Sequence, residues 1–272
     1  MITRENVKIA FIGFGNMASA MAQGLIHSGK IRPEQIGASA KHFEPLSEKA
    51  VAFGVRAFKT NKEAASWADV IVLAVKPNLV KAVIEPIKDV LSRKIVLSVA
   101  VNILFDDYEA LLPCGTEHLS LLPNTPVRVN EGVLLCEARH SLTKDHEALV
   151  TDLLTLLGLV LQTDSAKMKA AGVISGCGPA YVAMFIEAMA DAAVLGGMPR
   201  AQAYKFAAQA VMGSAKMVLE TGEHPGALKD MVCSPGGTTI EAVRVLEEKG
   251  FRAAVIEAMT KCMEKSEKLS KS

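Results

Sequence analysis

Three groups of residues in this chain have types and spacings that could hold charge or move it. Gly13, Gly15 and Ala18 stand in the spacing G-x-G-x-x-A. A glycine in the first place permits a tight turn, and one in the second lets backbone come close to a pyrophosphate. A small third residue lets the following helix lie against the strand before it. The amides that open such a helix face the phosphates, where the helix dipole favours negative charge. The pattern implies dinucleotide binding. The second group, Ser175 to Pro179 (SGCGP), sets small residues ahead of a proline. It reads as a helix start and so as an anion site that includes Ser175. The third, Ser234 to Glu241 (SPGGTTIE), repeats the idea more strongly. Thr238-x-x-Glu241 predicts a capping box with Thr238 as N-cap. Thr239 then keeps a free hydroxyl among open amides from Gly237 onward, where a small carboxylate can dock.

Two further segments bear on the cofactor. An NAD site usually has a carboxylate at the end of the second strand, against the ribose 2′-hydroxyl. Here that end reads Ser39, Ala40, Lys41, with no acid before Glu44. A hydroxyl and a cation suit a 2′-phosphate, so NADP(H) is expected to be preferred, with NAD(H) possible. Ala74, Val75, Lys76 and Pro77 follow a buried strand, where ligands of open α/β sheets bind. Pro77 forces Lys76 into extended backbone, and Lys76 is expected to line the cofactor cleft rather than to donate a proton. The six histidines form no pair at metal-ligand spacing, and neither G-x-S-x-G nor closely paired carboxylates occur. A hydrolase or a metalloenzyme has no support, and no metal is expected.

The elements that must position these residues follow from periodicity. Val7 to Ile12 is a continuous apolar run, a strand buried on both faces. A helix from Asn16 to Ile26 comes next. Further strands are expected at Ile36 to Ser39, Val55 to Phe58, Val70 to Val75, Ile95 to Ala100, Leu119 to Leu122 and Val133 to Cys136. Strands alternating with helices predict an α/β fold, an N-terminal Rossmann-type doubly wound parallel sheet. From Thr143 the pattern is helical: 143–157, 165–174, 179–195, 201–219, 238–248 and 251–268, with one candidate strand at 159–162. Several of these helices have too little polar surface to be solvated all round. They are expected to bury against each other or against a second subunit, the latter making this part an all-helical C-terminal dimerisation domain. The division is drawn at residues 1–163, the dinucleotide-binding domain, and 164–272, the dimerisation and substrate domain.

Composition bounds the rest. Half of the 272 residues are hydrophobic and the net charge is +1, with both signs dispersed, so no nucleic acid partner is implied. Five cysteines, odd in number and without a C-x-x-C pair, fit a reducing compartment. The first residues lack the pattern of a signal peptide. The apolar stretch 179–197 is interrupted by Glu187 and Asp191 and reads as a buried or interface helix rather than a membrane span. A cytoplasmic location is expected.

Taken together, the segments FIGFGNMA (11–18), LAVKP (73–77), LPNTP (122–126), SGCGPAY (175–181) and VCSPGGTT (232–239) resemble the pyrroline-5-carboxylate reductases, along essentially the whole chain. The resemblance implies NAD(P)H-driven reduction of a cyclic imine, 1-pyrroline-5-carboxylate, to L-proline, the last step of proline biosynthesis. It also implies a substrate pocket built across a dimer, with dimers assembled into a ring. By position, Ile12, Gly13, Phe14, Gly15, Asn16, Met17, Ser39, Ala40, Lys41, Asn61, Ala74, Val75, Lys76 and Pro77 would line the cofactor. Ser175, Gly237, Thr238 and Thr239 would meet the substrate, with Thr239 the catalytic candidate. The chain departs from the family at Lys169 to Gly172, at Val99 to Asn102, at Met231 and at Cys177, which replaces a serine. The alternatives are reduction of a related cyclic imino acid, such as a six-membered ring, or a nucleotide-binding regulator that kept the fold without turnover.

Overall fold

The structure, a computed structural model, describes residues 2–270. Its central strand, β1 (Ile9–Ile12), is buried at every position. Successive side chains point to opposite faces, and both faces are covered: Ile9 and Phe11 join one apolar core, Ala10 and Ile12 the other. The neighbouring strands repeat this division, which is why they read as continuous apolar runs rather than alternating ones.

In chain order β1 is followed by α1 (Asn16–His27), β2 (Ile36–Ser39), α2 (Phe43–Phe53), β3 (Arg56–Phe58), α3 (Asn61–Trp67), β4 (Val70–Leu73), α4 (Val80–Ile84), α5 (Lys88–Leu91), β5 (Ile95–Ser98), α6 (Phe105–Leu111), β6 (Glu117–Pro123), β7 (Gly132–Glu137), α7 (Lys144–Thr155) and β8 (Gly158–Thr163). The sheet order is β3-β2-β1-β4-β5-β6-β7-β8. Strands β1 to β6 pair in parallel, in the order of the doubly wound dinucleotide fold. The all-parallel expectation ends there. β7 runs antiparallel to β6, and β8 runs parallel to β7. The reason is the connection: only a short turn around Thr125–Val129 separates β6 from β7, too little chain for a crossover helix.

The chain divides into two compact units, one ending at Gly176 and one beginning at Cys177. The division falls inside α8 (Met168–Leu195), a single helix with Pro179 in its interior. The expected pair of helices, 165–174 and 179–195, is therefore one. The second unit continues with α9 (Arg200–Thr221), α10 (Pro225–Met231), α11 (Thr238–Glu248) and α12 (Phe251–Ser270). Among its described residues the buried apolar side chains are three alanines, Ala190, Ala203 and Ala207. Large apolar side chains lie outside instead: Leu195 is 91% exposed, Leu219 72%, Met184 68% and Phe206 64%. Helices so arranged have no core of their own to offset the entropy of ordering them, and need another apolar surface.

Candidate active site

The turn after β1 is drawn between three strand ends. The Gly13 amide donates to Ser39 O at 2.9 Å, and the Ala74 amide donates to Ile12 O at 2.9 Å. Gly13 has φ +89°, and a Cβ there would lie 2.5 Å from the Ala74 carbonyl oxygen. Only glycine fits both the dihedral and the gap. Gly15 differs: a Cβ on it would meet nothing within 4 Å. The open volume over Gly15 lies beside the start of α1, where no side chain caps the helix. The amides of Asn16, Met17 and Ala18 therefore lack intrahelical acceptors and are available to an anion. The Phe14 ring is buried edge-on against Phe11 and Phe53, so Phe14 offers the turn its backbone alone.

At the end of β2, Ser39 is fully buried and its hydroxyl donates to Asn61 Oδ1 at 2.8 Å. The groups left to meet a ligand here are the Asn61 amide nitrogen and the exposed Lys41 ammonium. Asn61 is fixed as the first residue of α3 by the Thr60–Glu63 capping box. Lys76 is exposed and extended (φ −61°, ψ 146°), as the following proline requires. Ala40, Ala74 and Val75 are half-buried beside these residues in sequence. The donor set fits a dinucleotide with a third phosphate: open helix amides beneath a volume that a side chain at residue 15 would fill, and a cation where a carboxylate would otherwise stand.

In the second unit, Ser234 to Gly237 forms a turn in which the Gly237 amide donates to Ser234 O at 3.0 Å. Pro235 precedes Gly236, whose φ is +68°, the arrangement of a type II turn. The turn delivers Gly237 as the N-cap of α11, with extended backbone and no side-chain cap. This corrects the expected capping box. Thr238 is the first helical residue, and Glu241 bonds Arg244 instead (2.6 Å to Nη2). The correction adds to the site, since both threonines are exposed and neither hydroxyl is taken by a cap. The Gly237 amide is occupied, so the open amides at this terminus are those of Thr238, Thr239 and Ile240.

The Ser175 segment is placed differently from the expectation. Ser175 lies inside α8, buried, with its hydroxyl donating to Ala171 O at 3.1 Å, so no helix terminus presents amides there. Sequence reasoning assigned no part to Asn124, which donates to Ser175 O at 2.9 Å and accepts from the Val133 amide at 2.8 Å. The available signal was Pro179: a proline in a helix leaves the carbonyl four residues earlier without its donor.

Fold and turn together define a Rossmann-type dinucleotide-binding oxidoreductase. The chain is 54% identical over 270 residues to the pyrroline-5-carboxylate reductase of Escherichia coli (strain K12), covering 97% of this chain and 99% of that one. It belongs to the pyrroline-5-carboxylate reductase family. The enzyme of that name from Treponema pallidum (strain Nichols) is 40% identical, covering 96% of this chain and all of that one. Residues 165–269 match the family described as pyrroline-5-carboxylate reductase dimerisation, and residues 8–102 match NADP oxidoreductase coenzyme F420-dependent. Among solved structures, a Plasmodium falciparum pyrroline carboxylate reductase with NADP bound superposes with a TM-score of 0.85 at 30% identity, over 98% of this chain and 99% of that one. A Coxiella burnetii pyrroline-5-carboxylate reductase gives 0.84 at 34% identity, over 98% and 99%.

Proposed function

We propose that this chain reduces 1-pyrroline-5-carboxylate to L-proline with NADPH, the last step of proline biosynthesis. The observation that carries the reading is one chain holding both an open dinucleotide cradle and an open threonine-bearing turn, within a full-length likeness to reductases of that name. Bound NADPH supplies the hydride. What the protein does is bind and orient. The amides that open α1 hold the pyrophosphate; Lys41 and the Asn61 amide take the 2′-phosphate, with NADH a poorer donor; Ala74 to Pro77 line the cleft.

The open amides of Thr238 and Thr239 hold the substrate carboxylate. The Thr239 hydroxyl bonds the ring nitrogen and orients the imine. A hydroxyl is a weak acid, so its first role is orientation, with relay of the imine proton as the second. Gly237 gives the turn its shape, and Ser175 belongs to the substrate set through its motif rather than through a helix terminus. The functional division follows residues 1–163 and 164–272, with the substrate pocket completed in a dimer and dimers joined in a ring. Among the described residues α8 is long and apolar enough to cross a membrane; its place in a dimerisation segment supports reading it as an interface helix. The enzyme is cytoplasmic on this reading and uses neither nucleic acid nor metal.

The test is NADPH consumption with the five-membered and the six-membered cyclic imino acids. Faster reduction of the five-membered ring is expected. Faster reduction of the larger ring would make the protein a reductase of that imine, and no consumption with either would leave a nucleotide-binding regulator.

A further inference from the structure

All five cysteines are free thiols, and two of them meet. Cys177 on α8 and Cys262 on α12 are 85 residues apart in sequence, yet their sulfurs are 3.2 Å apart. Both are half-buried. A disulfide needs about 2.05 Å between sulfurs, so roughly 1 Å of side-chain movement separates contact from a bond. The Tyr181 hydroxyl, one helical turn along α8, interacts with both sulfurs. The remaining cysteines are not equivalent to this pair. Cys136 is buried, and burial pushes its thiol up to about 12, while Cys114 and Cys233 have no sulfur partner among the described residues.

We propose that Cys177 and Cys262 form a reversible redox couple, in which hydrogen peroxide closes a disulfide between α8 and α12 and a dithiol reductant opens it. The first sulfur, as thiolate, attacks a peroxide oxygen; the O–O bond breaks, the leaving oxygen departs as water, and the sulfur becomes a sulfenic acid. The second thiol attacks that sulfur, the S–S bond forms, the S–O bond breaks and a second water leaves. Two electrons pass from the thiols to the peroxide, and the two thiol protons end in the two waters. The consequence of the bridge falls on a unit whose buried apolar side chains, among the described residues, are three alanines. A covalent tie there restricts the unfolded chain over a long loop.

The experiment uses the full-length protein treated with a small excess of hydrogen peroxide, then denatured and alkylated with a maleimide. Intact mass should show two fewer modified thiols than in the untreated protein. Peptide mapping should join the segments containing Cys177 and Cys262, and dithiothreitol should restore both thiols. The oxidised protein should melt about 5 °C or more above the reduced one. Cys177→Ser and Cys262→Ser should each lose the mass change and the shift. An unchanged thiol count, or a bridge that maps to other cysteines, overturns the proposal. The bridge does not depend on imine reduction: an inactive protein that still closes it would refute the proposed function alone.

Discussion

Asn124 supplies the hydrogen bond that Pro179 takes away. Its Nδ2 donates to the carbonyl oxygen of Ser175 at 2.9 Å, the carbonyl that residue 179 would satisfy if it had an N–H. The same side chain accepts from the Val133 amide, at the start of β7. One buried asparagine thus keeps α8 continuous through a proline and ties it to the sheet. Asn124→Ala should cost about 2–4 kcal/mol, because two buried backbone groups lose partners. In Pro179→Ala the helix regains its own donor, so the same asparagine substitution should cost about 1–2 kcal/mol less there. A double-mutant cycle by denaturant unfolding, at one protein concentration, measures the difference. Equal costs in the two backgrounds would mean that Asn124 does not act through that carbonyl.

The two glycines of the turn should fail differently. Gly13→Ala forces a Cβ to 2.5 Å from the Ala74 carbonyl at a positive φ, so it should lower the melting temperature or abolish folding. Gly15→Ala adds its methyl to open space and should melt with the wild type. The same methyl intrudes where the pyrophosphate approaches, so KM for NADPH should rise tenfold or more, roughly 1.4 kcal/mol. Melting curves beside KM decide it, and a Gly15→Ala variant with unchanged KM would remove the cofactor from this turn.

Lys41 should read the third phosphate. Lys41→Ala is expected to raise KM for NADPH about tenfold and leave KM for NADH nearly unchanged, since an exposed ion pair to phosphate contributes on the order of 1 kcal/mol. A uniform loss with both cofactors would assign Lys41 to general electrostatics.

How far the sequence was legible depended on the distance over which each feature is determined. β1, its glycine turn and α1 are set within about twenty residues, and all three lie where periodicity and spacing put them. β8 was only a candidate segment, and it pairs in parallel with β7, a strand placed by an antiparallel turn after β6 that no local pattern announces. The break expected in α8 came from applying a sound local rule at Pro179. The rule was overridden by a donor 51 residues before Ser175 in sequence. At Thr238 the error was one of register: S/T-x-x-E matched a capping box, but the type II turn at Ser234 to Gly237 ends one residue earlier and makes glycine the cap. The thiol pair was invisible for the same reason as Asn124, since its members are joined only by packing.

The second unit should not persist as a monomer. With Leu195, Phe206 and Leu219 exposed and, among the described residues, three alanines as its buried apolar side chains, it has the surface of an interface rather than of a solvated domain. Obligate interfaces of this kind bury on the order of 2,000 Å² or more. Sedimentation across a dilution series should show no folded species below the dimer, and any dissociation should coincide with loss of helical signal and activity. A folded, active monomer at low concentration would contradict this.

The turn before α11 frees a threonine that sequence alone assigned to a cap. Thr238 makes no cap, so Thr238→Ala should change stability by less than about 0.5 kcal/mol. Thr239 is one position on, exposed, with its hydroxyl free of the helix. If that hydroxyl orients the imine, Thr239→Ala should fold normally and bind NADPH normally, while kcat/KM for the imine falls about ten- to a hundredfold. Thr239→Ser restores a hydroxyl and should recover most of the loss. Thr239→Val keeps the shape without the hydrogen bond and should not. The comparison that matters is valine with serine, because both leave the open amides in place to hold the carboxylate. A valine variant as fast as wild type would show that the turn binds substrate through backbone alone, and that the chemistry needs no side chain from this helix.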